Sequence, residues 1–534
     1  MKDVNKFNLD TIYPQLEKEA KNCSYISIDC EFSYLPANGY QNSLFDDAHQ
    51  RYLKLRENLR ESVPLQIGIT IFTFVRDLKK YDASLYRFSI VPRSFGPLQK
   101  LIPFKTSNIQ FLCNNKFDFN KCFYEGLSYL NRSEEALIRK LFSRGSLMES
   151  IDNSLDYNDK DNVQARSSAI ALWLMNSSPG DTYDIIVDSQ DIAYRYFIHN
   201  AIRQRFINTW TFDGEDKCKI IVKHLKEEDK KMYELNEEDP TRIENLIESL
   251  LGFSRIFRLL TKIKKPLVGH NLLLDLLIMY NQFHQDLPDS YTAFKNELHG
   301  LFPVIYDTKL MAFELQKLLK KEFVHDTSLG KLYSSLQDKE GLIFEPLIVL
   351  KINSESIDED QRLHDAGWDS YFTGFCFIKL AYYLMNSQNC FNSMRIITFK
   401  ESLNSIAFLA NKIGIARASI PFLNLCGSDP ISKRPPVLHV SWKNGNPVKK
   451  HEIDGLFDKY GLIHKREYYN SLLVATTNFG SYKDILRDFN RHKDLKVETF
   501  SLFRHNKGIR LALCVGAILF PICLTLLYSH KSHK

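Results

Sequence analysis

An apolar segment near the start of the chain, YISIDCEF (25–32), ends in two carboxylates. Side chains alternate between the two faces of a strand, so Asp29 and Glu31 project from the same face. Two like charges at the end of a buried strand repel each other unless a cation lies between them, and Mg²⁺ prefers oxygen ligands of this kind. The segment therefore predicts a buried strand with a candidate metal site at its end. A pair of surface acids is the alternative.

The segments that follow predict a mixed α/β sheet. A helical patch begins at Asp46 (DDAHQRYLKLRENLRE), and two strand-like runs follow it, LQIGITIFTF and ASLYRFSIVP. The acidic stretch 147–162 predicts a linker or an exposed loop. At 534 residues, with 44% hydrophobic residues, the chain is long enough for two to four packed domains. The net charge of +6 permits a nucleic-acid partner without arguing for one.

Three further residues extend the candidate site. Asp275 lies in an apolar helical run (VGHNLLLDLLIMY), where a carboxylate costs several kcal/mol unless it is paired or binds a metal. Asp369 opens another apolar helix (LHDAGWDSYFTG), and His364 precedes it on a loop from which a neutral imidazole could act as a general base. A salt-bridged acid and a surface histidine are the alternatives. Asp307 is set aside because it more simply caps a helix after a strand.

The last part of the chain contains two different kinds of segment. From residue 433 to 500 the order is β-α-β-β-α (PVLHVSW, HEIDGLFDKYG, LIHKREYYNSLLVATT, SYKDILRDFNRH), which is typical of a ferredoxin-like, RNA-recognition-type domain. The uncharged run 511–528 (LALCVGAILFPICLTLLY) is long enough for a transmembrane helix and predicts a tail anchor. The ten cysteines form no C-x-x-C pair, which favours reduced thiols in a cytosol-facing protein.

The order of these residues resembles one family. A strand with D-x-E, an Asp on a buried helix and a late H-x4-D occur in this order in DEDD exonucleases. The blocks RYLKLRENLRESVPLQIGITIF, GFSRIF, LVGHNLLLDLL, FPVIYDTKLMA and LHDAGWDSYFTGFCFI then make the chain similar to the poly(A)-specific ribonuclease family. The resemblance extends to about residue 500.

The resemblance implies a ribonuclease H-like exonuclease core, built discontinuously from residues 1–150 and 250–432. It implies a 3′→5′ exoribonuclease that releases nucleoside 5′-monophosphates by hydrolysis with two Mg²⁺ ions, with Mn²⁺ able to substitute. Asp29, Glu31, Asp275 and Asp369 would hold the metals, and His364 would deprotonate the attacking water.

The family also carries an inserted domain, expected here at residues 163–240, with an Arg-x3-His signature that binds single strands. Arg195 and His199 match this signature, and Arg203 extends the same helical face. The alternative is an amphipathic surface helix with incidental basic residues. Glu467 occupies the position at which the better-known deadenylase has a cap-stacking tryptophan, which argues against cap recognition.

With its tail anchor, the chain resembles the membrane-anchored, Trimmer-type branch of the family, which trims the 3′ ends of PIWI-interacting RNA precursors. This branch implies a PIWI-bound RNA 3′ end and a Tudor-domain scaffold as partners, and the family resemblance suggests a homodimer. The mitochondrial outer membrane is the favoured location and the endoplasmic reticulum the alternative. Two other functions stay open: a membrane-tethered poly(A) deadenylase, and a catalytically inactive RNA-binding scaffold.

Overall fold

The computed structural model describes most of the chain: residues 1–35, 42–155, 157–187, 192–214, 219–236, 239–319, 326–337, 346–351, 363–388, 397–453 and 455–506, and five positions between 508 and 515. Its residues form two compact units. The first unit contains Met1–Ala37, Leu53–Gly414 and Asn424–Ser428, and the second contains Asn38–Tyr52, Ile415–Leu423 and Asp429–Lys534.

The strands of the described residues are β1 (Lys2–Val4), β2 (Tyr25–Phe32), β3 (Pro64–Val75), β4 (Lys80–Ser89), β5 (Thr182–Ile186), β6 (Thr209–Asp213), β7 (Lys219–His224), β8 (Leu267–Gly269), β9 (Ile305–Asp307), β10 (Leu347–Leu350), β11 (Lys412–Gly414), β12 (Phe422–Asn424), β13 (Leu438–Trp442), β14 (Ile463–Tyr468), β15 (Ser471–Thr476) and β16 (Leu495–Thr499).

The α-helices are α1 (Leu9–Asn22), α2 (Ala48–Leu59), α3 (Thr106–Asn114), α4 (Arg132–Ser143), α5 (Leu147–Ser154), α6 (Tyr157–Leu174), α7 (Ile192–Arg205), α8 (Glu227–Asn236), α9 (Asp239–Leu251), α10 (Phe253–Ile263), α11 (Leu273–Met279), α12 (Tyr291–Leu301), α13 (Thr308–Leu319), α14 (Leu329–Gln337), α15 (Ala366–Gln388), α16 (Phe399–Ser405), α17 (Phe479–Phe489) and α18 (Leu502–His505).

A mixed sheet forms the centre of the first unit, as the sequence predicts. The strand order along it is β1-β4-β3-β2-β8-β9-β11-β12, and β10 pairs with β4. Strand β3 is antiparallel to β2 and β4, whereas β8 is parallel to both β2 and β9. The β-branched and aromatic residues of β3 favour a strand, and its first nine residues are buried. The sheet thus has β2, with its two carboxylates, in its interior.

Helix α15 packs directly on β2 and β3 because two glycines let it approach. A Cβ on Gly68 would lie 1.7 Å from the carbonyl oxygen of Ala366, and one on Gly374 would lie 2.1 Å from the ring of Phe72. A hydrogen bond fixes the start of the helix there, because the backbone N–H of Ala366 donates to the side-chain oxygen of Gln66 at 2.9 Å. The start of α15 is therefore held against the carboxylate-bearing end of β2.

The acidic stretch 147–162 is not the loop that the sequence predicts. It contains α5 and the beginning of α6. Leu147 and Ile151, one turn apart on α5, are 2% and 0% exposed and belong to an apolar cluster that also includes residues of α4 and α9. Burial of these two side chains stabilises the helix, since helical segments in proteins depend mainly on packing of an apolar face. After α6, strands β5, β7 and β6 form a separate antiparallel sheet.

The second unit contains a four-stranded antiparallel sheet with the order β14-β15-β13-β16. Helix α17 packs against it through Ile485 and Phe489. The predicted helix HEIDGLFDKYG is wrong: this segment forms two 3₁₀ turns, Lys450–Ile453 and Asp458–Tyr460. Gly455 lies between the turns, and glycine costs about 1 kcal/mol in a helix interior.

The predicted membrane span 511–528 lies almost entirely outside the described residues. Within the described part of the chain, no helix combines the length and the apolar character needed to cross a bilayer.

Candidate active site

Strand β2 presents Asp29 and Glu31 on one face, as predicted from their alternation. They are the two positions of this strand that keep some exposure, whereas the apolar residues before them are buried. In the ladder Asp29 lies opposite Gly68, whose missing side chain leaves room for the beginning of α15. The two carboxylates therefore face the space in front of that helix.

The start of α15 brings Asp369 and His364 to the same place. The backbone N–H of His364 donates to Oδ2 of Asp369 at 3.1 Å, and His364 adopts a left-handed backbone conformation (φ 65°). The potential metal-binding atoms of Glu31, His364 and Asp369 all lie within 4.8 Å of one another. Two residues predicted from one late segment thus lie beside Glu31 of β2.

Asp275 reaches the cluster from the first turn of α11 and is 8% exposed. Asn271, in the turn before that helix, has φ 60°. Asp307 fixes the turn because its carboxylate accepts the N–H groups of Asn271 at 3.0 Å and of Gly414 at 3.0 Å. The same carboxylate accepts the N–H of Lys309 at 3.0 Å in the first turn of α13, which confirms the interpretation of Asp307 as a helix-capping residue.

The four carboxylates share an unfavourable environment for negative charge. Burial raises the pKa of Asp29 well above its usual range, and the charges of Asp369, Asp275 and Glu31 raise it further. Burial likewise raises the pKa of Glu31, to which the charge of Asp369 contributes. For Asp275 and Asp369 burial is again the main cause, and each pKa is raised to about 7. Desolvation lowers the pKa of His364, which keeps the imidazole in its neutral, basic form.

The donor set fits hard divalent cations. Oδ1 of Asp369 is buried and has no hydrogen-bond partner among the described residues, although such an oxygen normally has one. The carboxylates repel each other, and all offer the oxygen ligands that Mg²⁺ and Mn²⁺ prefer. Asp29, Glu31, Asp275 and Asp369 are therefore suited to hold such ions.

Three residues around the site were not predicted from the sequence. Asp365 pairs with Arg87 at 2.5 Å, and Arg87 also binds Asp3, so the loop that carries His364 is tied to β4. Phe111 of α3 contacts the ring of His364 edge-on, with ring centroids 4.9 Å apart. The position of Asp365 between His364 and Asp369 in LHDAGWD was a usable signal, but nothing local identifies Arg87 or Phe111.

Arg195, His199 and Arg203 share one face of α7, as predicted, but this face lies against β6 and β7. His199 and Arg203 are 7% and 8% exposed. His199 bonds the hydroxyl of Thr211 at 2.8 Å, and the guanidinium of Arg203 stacks on Trp210 with 3.8 Å to the ring centroid. The role of His199 and Arg203 in RNA binding stays a prediction, and the contacts of both side chains with β6 give them a structural role.

Arg195 is less buried than the other two residues of this face, with a side chain that is 15% exposed. It pairs with Asp213, and both residues line a cavity of about 440 Å³ together with Arg93 and Arg255. A strand of nucleic acid could contact phosphate-binding groups of this kind here. The role of Arg195 in RNA binding also stays a prediction.

Comparison with known proteins now decides the class of this site. A model described as "CAF1 family ribonuclease" matches residues 4–377. The chain belongs to the CAF1 ribonuclease family. The match runs from the end of β1 to the middle of α15 and so includes all five predicted catalytic residues.

Similar proteins extend over the whole chain. The "Pre-piRNA 3'-exonuclease trimmer" of Bombyx mori is 32% identical over 537 residues, which cover 100% of this chain and 99% of that protein. The "Poly(A)-specific ribonuclease PNLDC1" of Mus musculus is 29% identical and covers 97% of each chain. The "Poly(A)-specific ribonuclease PARN" of Homo sapiens is 28% identical over 86% of this chain and 72% of its own length. This CAF1-family chain is a 3′→5′ exoribonuclease, and the predicted enzyme class is confirmed.

Proposed function

We propose that this exoribonuclease trims the 3′ ends of single-stranded precursors of PIWI-interacting RNAs. One observation carries the proposal: the likeness to the Bombyx mori trimmer, at 32% identity, runs from end to end of both chains. A likeness limited to the catalytic core would support only the chemistry. An end-to-end likeness also includes the segments outside the core that would recognise the RNA or its carrier.

In the proposed reaction the carboxylates of Asp29, Glu31, Asp275 and Asp369 would hold two Mg²⁺ or Mn²⁺ ions. Bound there, the ions would supply activation of the nucleophile and neutralisation of the leaving 3′ oxygen of the penultimate nucleotide. His364 accepts the proton of the attacking water on an imidazole nitrogen, for which its lowered pKa suits it. Asp369 orients His364 by accepting its backbone N–H. A nucleoside 5′-monophosphate leaves.

Phe111 would add a positioning contact to this chemistry. Its side chain is 41% exposed and touches the ring of His364. An exposed aromatic ring beside the general base offers a face on which the terminal base could stack, and such stacking tolerates any base. This arrangement suits an enzyme that removes successive nucleotides irrespective of sequence.

The remaining parts of the proposal concern location and partners. The apolar run 511–528 would anchor the enzyme in the mitochondrial outer membrane, or in the endoplasmic reticulum, with its catalytic part in the cytosol. A PIWI protein would present the RNA 3′ end, and a Tudor-domain scaffold would bring the two together. A homodimer is compatible with this arrangement.

A membrane-tethered poly(A) deadenylase is the second candidate. The observation that favours it is that two similar proteins, from Mus musculus and Homo sapiens, bear the name poly(A)-specific ribonuclease. The chemistry would be the same in both cases, and only the presentation of the 3′ end would differ.

Full-length protein in detergent, given Mg²⁺ and 5′-labelled RNA, tests the proposal. Three substrates are compared: a 3′-extended RNA loaded in a PIWI protein, the same RNA free, and free poly(A). We expect stepwise shortening that favours the loaded RNA. Preference for free poly(A) would support the deadenylase. No shortening of any substrate, with Mn²⁺ and a Tudor scaffold also supplied, would refute both and leave the RNA-binding scaffold.

A further inference from the structure

The second unit contains a cluster of metal-ligand residues that the ribonuclease reaction does not use. It consists of His439 on β13, Glu498 on β16 and His505 at the end of α18. One potential ligand atom from each of the three lies within 4.8 Å of the others. His439 is far from the other two in sequence, so the fold brings it next to them.

The sheet register places the first two side chains next to each other. His439 and Glu498 are directly opposite in the antiparallel ladder between β13 and β16, so both project from the same face. The neighbouring Leu438 and Val440 point the other way, into the apolar core with α17. The cluster therefore lies on the sheet face that α17 leaves uncovered.

His505 completes the cluster from the short helix α18. Its Nε2 is 3.0 Å from Oε1 of Glu498, and its ring stacks on that of His439 with centroids 4.1 Å apart. Nδ1 of His505 is engaged by the backbone of Ser501, 2.9 Å from the carbonyl oxygen and 3.0 Å from the amide nitrogen. A histidine that ligates a metal usually has its second nitrogen fixed in this way.

An independent observation points to a missing ligand. His439 is 9% exposed, and its Nδ1 is buried without a hydrogen-bond partner among the described residues. A buried polar atom left in this state normally costs about 1–3 kcal/mol.

We propose that His439, Glu498 and His505 bind a borderline divalent cation, with Zn²⁺ as the best fit. Two imidazoles and one carboxylate are ligands that Zn²⁺ accepts readily, with a water molecule in the fourth position. Mg²⁺ is disfavoured because it prefers an all-oxygen shell. The bound ion would fasten α18 to the sheet and so fix the segment that leads to the apolar C-terminal run.

A lysine competes for the same carboxylate. Nζ of Lys496 lies 2.8 Å from Oε1 of Glu498, and its side chain is 58% exposed. Burial alone would raise the pKa of Glu498, but its hydrogen bonds with Lys496 and His505 lower it, so the carboxylate is ionised at neutral pH. An exposed ammonium gives up such a pair at little cost. Removal of Lys496 should therefore strengthen zinc binding.

The test is calorimetric titration of the untagged full-length protein in detergent with ZnCl₂, repeated with CoCl₂ for the visible absorption of the bound ion. An Asp29→Asn/Glu31→Gln background removes the carboxylate cluster of the first unit as a competing site. We expect the protein to bind one equivalent of Zn²⁺. His505→Asn or Glu498→Gln should lower the affinity for zinc at least tenfold, since even the loss of a residue that only orients a ligand has an effect of this size. Lys496→Met should raise the affinity for zinc.

His451→Asn is the matched control because this histidine lies in the same unit and is exposed. It should leave zinc affinity unchanged, and circular dichroism should show all variants folded. The proposal is overturned if no zinc binds, which would leave only a hydrogen bond between His505 and Glu498. It is also overturned if zinc binds but His505→Asn and Glu498→Gln behave like His451→Asn.

Discussion

Replacing Asp369 by asparagine should stabilise the metal-free protein while removing a ligand. Oδ2 of Asp369 accepts the N–H of His364, and the oxygen of an asparagine side chain can keep this bond. The amide nitrogen would then replace Oδ1, which has no partner among the described residues, and would face the carboxylates of Asp29 and Glu31. The repulsion between carboxylates is thus replaced by an attraction between the amide donor of the asparagine and the carboxylate acceptors.

The pKa of Asp369 sets the size of this effect. Burial raises it from 3.8 to about 7, and one pH unit corresponds to about 1.4 kcal/mol, so ionised Asp369 costs on the order of 4 kcal/mol at pH 8. This value is a ceiling, because neighbouring carboxylates share the protons. We expect Asp369→Asn to raise the free energy of unfolding by at least about 1 kcal/mol at pH 8 without metal.

The matched control is Asp365→Asn, the same chemical change four residues earlier. Asp365 binds the guanidinium of Arg87, so its neutralisation should lower the free energy of unfolding by about 1–3 kcal/mol. Urea titrations in EDTA, followed by circular dichroism, compare the two variants. The reasoning is refuted if Asp369→Asn destabilises the metal-free protein as Asp365→Asn does.

The raised pKa values of the carboxyl groups also predict how the stability of the metal-free protein depends on pH. With raised carboxyl pKa values the folded state binds more protons than the unfolded state between about pH 4 and 7, so metal-free stability falls as the pH rises through this window. Asp369→Asn should make the fall shallower. Saturating Mg²⁺ should restore the stability of the wild type at pH 8 and act less on the variant.

Two further predictions concern the scaffold. Gly68→Ala should reduce exonuclease activity at least about tenfold, because a Cβ there would contact Ala366 and displace the start of α15, and a shift of about 1 Å in an active site can cost far more. The control is Gly300→Ala, which has open space around its Cβ and should leave activity unchanged. Equal activities of the two variants would contradict this prediction. Arg203→Gln should lower the free energy of unfolding by about 2 kcal/mol, because the variant loses the charged hydrogen bonds of the guanidinium. Arg205 is exposed, so Arg205→Gln should change the free energy of unfolding by less than about 0.5 kcal/mol. Equal shifts of the two variants in a urea titration would contradict the structural role of Arg203.

The parts of the fold that were predictable are those encoded by local patterns. YISIDCEF defined a strand and the common face of Asp29 and Glu31, and the apolar run after Asp369 defined α15. A carboxylate inside an apolar helix marked Asp275, because such a residue requires a compensating partner. These signals depend on a few neighbouring residues and do not require the tertiary structure.

The errors arose where tertiary contacts decide. Leu147 and Ile151 were obscured by acidic neighbours, and only their burial explains α5. The burial of Arg203 could not be predicted from its helix, because Trp210 and Thr211, which bind it, come from the following strand, and its role in RNA binding stays a prediction. Arg87 joined the site only because β4 lies within reach of the loop before α15.

The central claim is that the four carboxylates together carry the hydrolysis. The most direct test is the initial rate of nucleotide release from the 3′ end of a single-stranded RNA, with saturating Mg²⁺, for the wild type and for Asp29→Asn, Glu31→Gln, Asp275→Asn and Asp369→Asn. We predict that each variant stays folded and loses about a hundredfold or more in rate, as expected when a charge-stabilising group is removed. A folded variant that keeps its rate within about threefold of the wild type would contradict the account.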